Sequence, residues 1–283
     1  MNNKYLTTIA SAGAAIVVLA SAAFPALALT AGIDASASAS VTAGVVRARV
    51  NASASTTVDA RITLITGKAD QEITRRIDAL NALSARVNGM VKLSATDKSN
   101  LSSLIQTQIT AMNVLQTQIS TDATANNTST LKADVKSITA SYRIFALILP
   151  QGAIEAMSDR ALTIVGTMND LGTKFSARVQ AAQTAGNNVT AATTALADFN
   201  TKVSDANTQA TAAASEVASL APDNGNATVM ASNTATLKDA RSKLQAVQQD
   251  FVTARVDATT IVKTLATFKV AASATTNAST SVQ

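Results

Sequence analysis

Arg61, Lys68 and Arg75 recur every seven residues, and Arg86 falls on nearly the same side of a helix drawn through them. That spacing aligns four cations on one face, an arrangement suited to anionic polymers such as teichoic acids or nucleic acid. Asp59, Asp70, Glu72 and Asp78 are interleaved with them, and Glu72 and Arg76 form a favourable helical pair, so a solvated mixed face accounts for the same residues. The sequence nominates Arg61, Lys68, Arg75 and Arg86 as candidate polymer contacts and no others.

Other chemistry lacks its parts. Histidine and cysteine are absent, which removes Ser-His and Cys-His nucleophiles, imidazole or thiolate metal sites, and disulfides. The three glutamates, Glu72, Glu155 and Glu216, lie far apart in the chain. Among fifteen aspartates no carboxylate pair stands out, and Asp159 and Asp170 read as ordinary charges flanking apolar helical positions. The segment PDNGN (222–226) places oxygen ligands near a glycine but lacks the alternating carboxylates and closing glutamate of a calcium loop, so it reads as a turn. No phosphate-cradling glycine motif occurs. The expectation is a protein that is not an enzyme, with no cofactor and no metal. Only eight aromatic residues are present, mostly at apolar helical positions, so no nucleic-acid partner is expected. Asn-x-Ser/Thr triplets at Asn51, Asn126, Asn188 and Asn226 are what chance gives in so Asn- and Thr-rich a chain.

The first residues, MNNKYLTTIASAGAAIVVLASAAFPALA, have a short positive start, an apolar stretch and the small-x-small Ala26-Leu27-Ala28. That pattern predicts an export signal over 1–28, whose cleavage leaves 255 residues; retention as a membrane anchor is the alternative. Residues 29–56 are rich in Ala and Ser and read as a flexible segment, and 271–283 as a disordered tail. Residues 29–149 carry twelve basic and eight acidic side chains, whereas 150–283 carry ten of each, so the positive surplus lies in the first half.

Between these ends the apolar period is helical. One helix is predicted over 58–90, on Ile62, Ile65, Ala69, Ile73, Ile77, Leu80 and Val87. A second follows Ser94, which caps it, with Asp97 returning a bond to the Ser94 amide as in a capping box. A third carries Leu131, Val135, Ile138, Tyr142, Phe145 and Leu149, and the pattern resumes beyond Pro150 with Ile154, Met157, Ala161, Ile164, Met168, Leu171 and Phe175. Two further helices, from Val189 to Leu220 and from Met230 to Phe268, keep the alternating three-and-four spacing of a heptad seam. Asn233 on that seam either fixes register or is exposed near the helix start. Gly67, Gly166 and Gly172 mark close helix contacts or bends.

Short turns between heptad helices require antiparallel packing. The predicted fold is all-α: elongated antiparallel coiled-coil bundles in two three-helix groups, 57–149 and 150–270, sharing a long helix kinked near Pro150 in a spectrin-like layout. Proline removes a backbone donor and clashes one turn back, hence the kink. The apolar run Ile144–Leu149 beside it reads as a junction covered on several sides; membrane insertion would need about twenty such residues.

Three segments, ITRRIDALNALSARVNGM (73–90), LSATDKSNL (93–101) and DVKSITASYRIFALILPQ (134–151), resemble uncharacterised exported all-helical proteins of candidate-phyla-radiation bacteria. The resemblance implies bacterial export and a helical architecture, and it transfers no activity or site residue. The function expected is a non-enzymatic, extracytoplasmic spacer, scaffold or adhesion-type component of the cell envelope. The alternative is an extracellular or periplasmic binding module for an anionic polymer or apolar ligand. Partners would be envelope polymers, or another protein met through helical faces, with membrane contact only through an uncleaved N-terminal helix; the oligomeric state is left open.

Overall fold

The computed structural model describes residues 58–140 and 143–279. The expected export signal, the 29–56 segment and Asn51 lie outside them. Among the described residues the chain is all-helical with no strand. The elements are α1 (Val58–Asn88), α2 (Ala95–Thr124), α3 (Thr128–Ala140), a π-helical turn (Ile144–Ile148), α4 (Leu149–Thr184), α5 (Thr190–Ala218) and α6 (Ala227–Ser279). The helices pack against one another as a bundle.

The predicted apolar faces are for the most part the buried ones, although Met230 of the α6 seam is exposed and Tyr142 lies outside the described residues. Ile62, Ile73, Leu80 and Val87 of α1 meet Leu101, Ile105, Met112 and Ile119 of α2 and Leu131 and Ile138 of α3. Full burial of one such aliphatic side chain contributes roughly 1.5–3 kcal/mol. Gln116 of α2 donates to Asp70 of α1 across the antiparallel pair (3.3 Å). Farther along, α5 packs along both α4 and α6. Its seam is alanine-rich, with Ala192, Ala206, Ala210 and Ala213 fully buried, and small side chains let helix axes approach closely. Phe175 and Phe199 lock α4 to α5 edge to face, with ring centroids 5.8 Å apart.

Turn chemistry sets the helix ends. Asn188 accepts from the Thr190 amide and hydroxyl, and Asn226 from the amides of Thr228 and Val229. These Asn-x-Thr triplets are helix starts, with asparagine satisfying otherwise unpartnered first-turn donors. Ser94 caps α2 through the Asp97 amide (3.0 Å), but the Asp97 carboxylate takes the Ser94 hydroxyl (2.7 Å) where a capping box would place the Ser94 amide. Aspartate is one methylene shorter than the usual glutamate. Asn233 is buried and donates to the Ala221 carbonyl (2.9 Å), tying the start of α6 to its turn. With no glycine or proline after Gly225, α6 continues to Ser279, into the segment expected as a tail.

The shared helix is interrupted ahead of Pro150. The α3 helix ends at Ala140, Arg143 takes a left-handed conformation (φ 44°, ψ 29°), and the π-helical turn leads directly into α4. Pro150 then sits in the first turn of α4, where a missing N–H costs little. The break shifts the register expected from Phe145 and Leu149. Ile144, Leu147 and Ile148 are buried instead, and Phe145 is half-buried.

Ile144 and Ile148 join the α1–α2–α3 core, whereas Leu147 joins Ile154 of α4, Ala213 and Val217 of α5 and Leu237 of α6. The apolar run therefore serves two cores at once.

Candidate functional site: polar groups gathered at the helix junction

The four nominated cations all lie exposed on α1. Arg75 is engaged: its Nη2 donates to Glu72 Oε1 (2.7 Å), and its guanidinium stands 4.5 Å from the centroid of the Phe145 ring. Arg76, absent from the nominated set, is 5% exposed, bonds the Glu72 carboxylate and backbone carbonyl, and lies 5.1 Å from the same ring. Two stacked cations thus clamp the π-helical turn to α1. Burial alone would raise the Glu72 carboxyl, but the Arg76 and Arg75 guanidiniums outweigh it and hold the group below its ordinary value.

The densest polar cluster lies on the first three turns of α4. Gln151, Glu155, Ser158 and Asp159 are buried there, close to Gly152, against which Leu83 of α1 packs so tightly that any Cβ would collide with its side-chain carbons. Three successive backbone amides of the α1–α2 turn, Val91, Lys92 and Leu93, donate to one oxygen of Asp159, at 2.7, 2.5 and 3.1 Å. Gln151 Nε2 donates to the Val217 carbonyl at the end of α5 (2.8 Å). One face of α4 therefore holds the α1–α2 turn and the α5 terminus together.

Glu155 is unlike its neighbours. It is 0% exposed, and neither carboxyl oxygen has a hydrogen-bond partner; Gln151 Oε1 and Ser158 Oγ beside it are also unpartnered. Loss of hydration, helped by the negative charge of Asp97, pushes its carboxyl up to about 8, and the Gln151 side chain opposes this only in part because its amide is committed to Val217.

A second long-range contact secures the α3–α4 connection. Asp223, buried in the turn before α6, accepts from the Gly225 amide (2.8 Å) and pairs with Arg143 Nε (3.1 Å), while Arg143 Nη2 meets Met230 Sδ (3.2 Å). Asn224 and Gly225 both have positive φ (50° and 88°), so PDNGN forms a tight turn whose carboxylate holds an arginine. The pair also offsets the roughly 1–2 kcal/mol that a left-handed arginine costs.

Carboxylate pairs missed in the sequence form between helices. Asp122 faces Asp134 in a shallow open cleft with Thr117, Gln118, Thr121 and Thr130; burial and the Asp122 charge raise the Asp134 carboxyl. On α5 and α6, burial and Asp198 raise Asp257, which Lys202 counters. Lys202 also bridges to Asp250 (3.4 Å) and Asp205 (3.6 Å), and Lys243 to Glu216 (2.5 Å) and Asp239. Neither pair had a signal in the sequence, because each unites residues from different helices.

Among the described residues no group of three His, Cys, Asp or Glu side chains is placed to hold a metal ion, and no helix is long and apolar enough to cross a membrane. Among the described residues no nucleophile–base pair is assembled around Glu155, whose polar neighbours are the Gln151 amide, the Ser158 hydroxyl and the like-charged Asp97. What this arrangement does chemically is join helices through buried polar contacts. No family model, no curated protein and no solved structure matches the chain.

Proposed function

We propose that the chain is an exported, non-enzymatic helical component of the cell envelope that acts as a spacer, scaffold or adhesion-type element. The observation that carries the reading is α5, buried along its seam from Val189 to Val217 between α4 and α6. Stability spread along long helices suits a part that holds two points apart. The leader-like residues 1–28 and the resemblance of 73–151 to exported bacterial helical proteins support the location. The test is fractionation of cells producing the chain with a C-terminal tag. Appearance in the medium or envelope fraction at the size expected for cleavage after Ala28 fits the proposal, and retention of the full-length chain in the cytoplasm overturns it.

A second reading, binding of an anionic envelope polymer, is favoured by the exposure of Arg61, Lys68 and Arg86 on one helix. Reversing Arg61, Lys68 and Arg86 to glutamate should abolish retention on teichoic acid at low salt. Unchanged retention removes this reading and leaves the first standing.

A further inference from the structure

The side chain without a role in either reading is Glu155, a carboxyl buried where four parts of the bundle meet. We propose that Glu155 is a proton-operated latch: when neutral it lets the first turns of α4 seat in the junction, and when ionised it releases the α1–α2 turn from α4. This inference does not depend on export or on polymer binding.

The geometry supplies the device. Gln151, Glu155 and Ser158 are spaced i, i+4 and i+7, so they lie along one face of α4, and all three are buried with unpartnered oxygens. A neutral carboxyl complements the chemistry of this row. Its O–H can donate to Gln151 Oε1, its C=O can accept from the Ser158 hydroxyl, and the Gln151 amide keeps the Val217 carbonyl. An ionised carboxylate has no proton to give Gln151 Oε1. To be solvated inside the junction it must draw the Gln151 amide away from α5 or admit water.

Among the described residues no cation is paired with that charge. From α2, Asp97 faces it with the same sign. Asp159, one turn farther along α4, is committed to the turn amides. Of the lysines in that region, Lys98 donates to the Met90 carbonyl, and the Lys92 ammonium approaches α4 near Gly166. On α5, Glu216 is paired with Lys243, and Arg143 before the π-helical turn is paired with Asp223. Arg86 of α1 is exposed.

The sign follows from linkage. The folded carboxyl titrates near 8 against an ordinary value of 4.5, so the folded state holds the proton more tightly. Its contribution to stability is complete below about pH 4.5 and falls as pH rises through 8, beyond which it is lost. The part that moves is the α1–α2 turn: its hydrogen bonds to α4 all converge on one oxygen of Asp159, one helical turn from Glu155, with the Lys92 ammonium near Gly166 as a further approach.

The experiment uses the full chain labelled with carboxyl-13C glutamate, which gives only three side-chain resonances. One should titrate near pH 8 and be missing from Glu155→Gln, while that of Glu72 titrates below its ordinary value. If all three titrate below about pH 5.5, the proposal fails. Amide exchange protection at Val91, Lys92 and Leu93 should fall at least tenfold across the same transition in the natural chain and stay level in Glu155→Gln. Protection that is independent of the titration overturns the latch even if the carboxyl is neutral. Should Glu155→Gln not fold, Glu72→Gln and Glu216→Gln assign the resonance by elimination, and the protection profile of the natural chain decides.

Discussion

The α4–α6 bundle and the junction at the start of α4 are built from the same kind of helix but are held together differently. In the bundle, Phe175, Phe199, Val203 and the alanine row bury apolar surface at each turn of the seam, and ions such as Lys202 and Lys243 decorate its edge. In the junction, a carboxylate, an amide and a guanidinium each make one contact that nothing nearby can replace: Asp159 to three amides, Gln151 to Val217, Arg143 to Asp223. Repetition distributes stability, whereas a single polar contact concentrates it. The bundle should therefore respond to side-chain volume, and the junction to the identity of a polar atom.

The largest effect should come from deleting volume in the bundle. Phe199→Ala removes a fully buried ring and its edge-to-face partner Phe175, and should cost about 3–5 kcal/mol in denaturant unfolding. Phe199→Leu, which keeps most of the volume, should recover more than half of that. If leucine were as damaging as alanine, the bundle would depend on ring geometry rather than packing.

Asp159→Leu probes the junction the opposite way, since it keeps size and removes the acceptor. Leaving three amides of the Val91–Leu93 turn without their shared partner should cost about 3 kcal/mol, and Asp159→Asn, whose side-chain carbonyl still accepts, about half as much. Exposed Asp170 on the same helix is the control and should tolerate Asp170→Leu within ~0.5 kcal/mol. Equal losses at 159 and 170 would erase the distinction between the two regions.

This contrast also explains what could be read from the sequence. The bundle was legible because each of its contacts repeats every three or four residues, so Val189–Val217 and Leu237–Ile261 announce their buried faces locally. Gln151, Glu155 and Asp159 were illegible for the converse reason. Asp159 finds its partners 66 to 68 residues earlier and Gln151 its partner 66 residues later, and no short-range pattern encodes such distances. Pro150 gave a partial signal. It marked the interruption, but the break falls at Arg143, because a left-handed residue paired with Asp223 and a π-helical turn absorb what a proline inside a helix would disrupt. The nominated cations show the limit of periodicity in another way. Arg75 and Arg86 sit on the same side of α1, yet only Arg75 is occupied, since Phe145 arrives from a distant turn.

Smaller steric effects separate the regions position by position. Gly152→Ala must displace Leu83 and should cost about 2 kcal/mol, as overpacked sites do.

Glycines in the open have the opposite sign. Nothing lies within 4 Å of a Cβ built at Gly67, and only the flexible Lys92 ammonium, at 3.8 Å, approaches one at Gly166. Alanine at either helical position should raise stability by about 0.5–1 kcal/mol, because the unfolded chain loses more freedom than the folded helix. Gly172 sharpens the comparison from inside the bundle. A Cβ there meets Asn200 Oδ1 at 2.9 Å and Phe199 Cε1 at 3.2 Å. Asn200 is exposed and its amide can swing away, but the Phe199 ring is fixed against Phe175 and can yield only by loosening that pair. Gly172→Ala should therefore lower stability by roughly 1 kcal/mol, the helical gain falling short of the packing loss. Introducing Gly172→Ala into Phe199→Leu, where the ring edge is gone, should restore the gain seen at Gly166. Thermal unfolding of the four proteins measures this coupling directly.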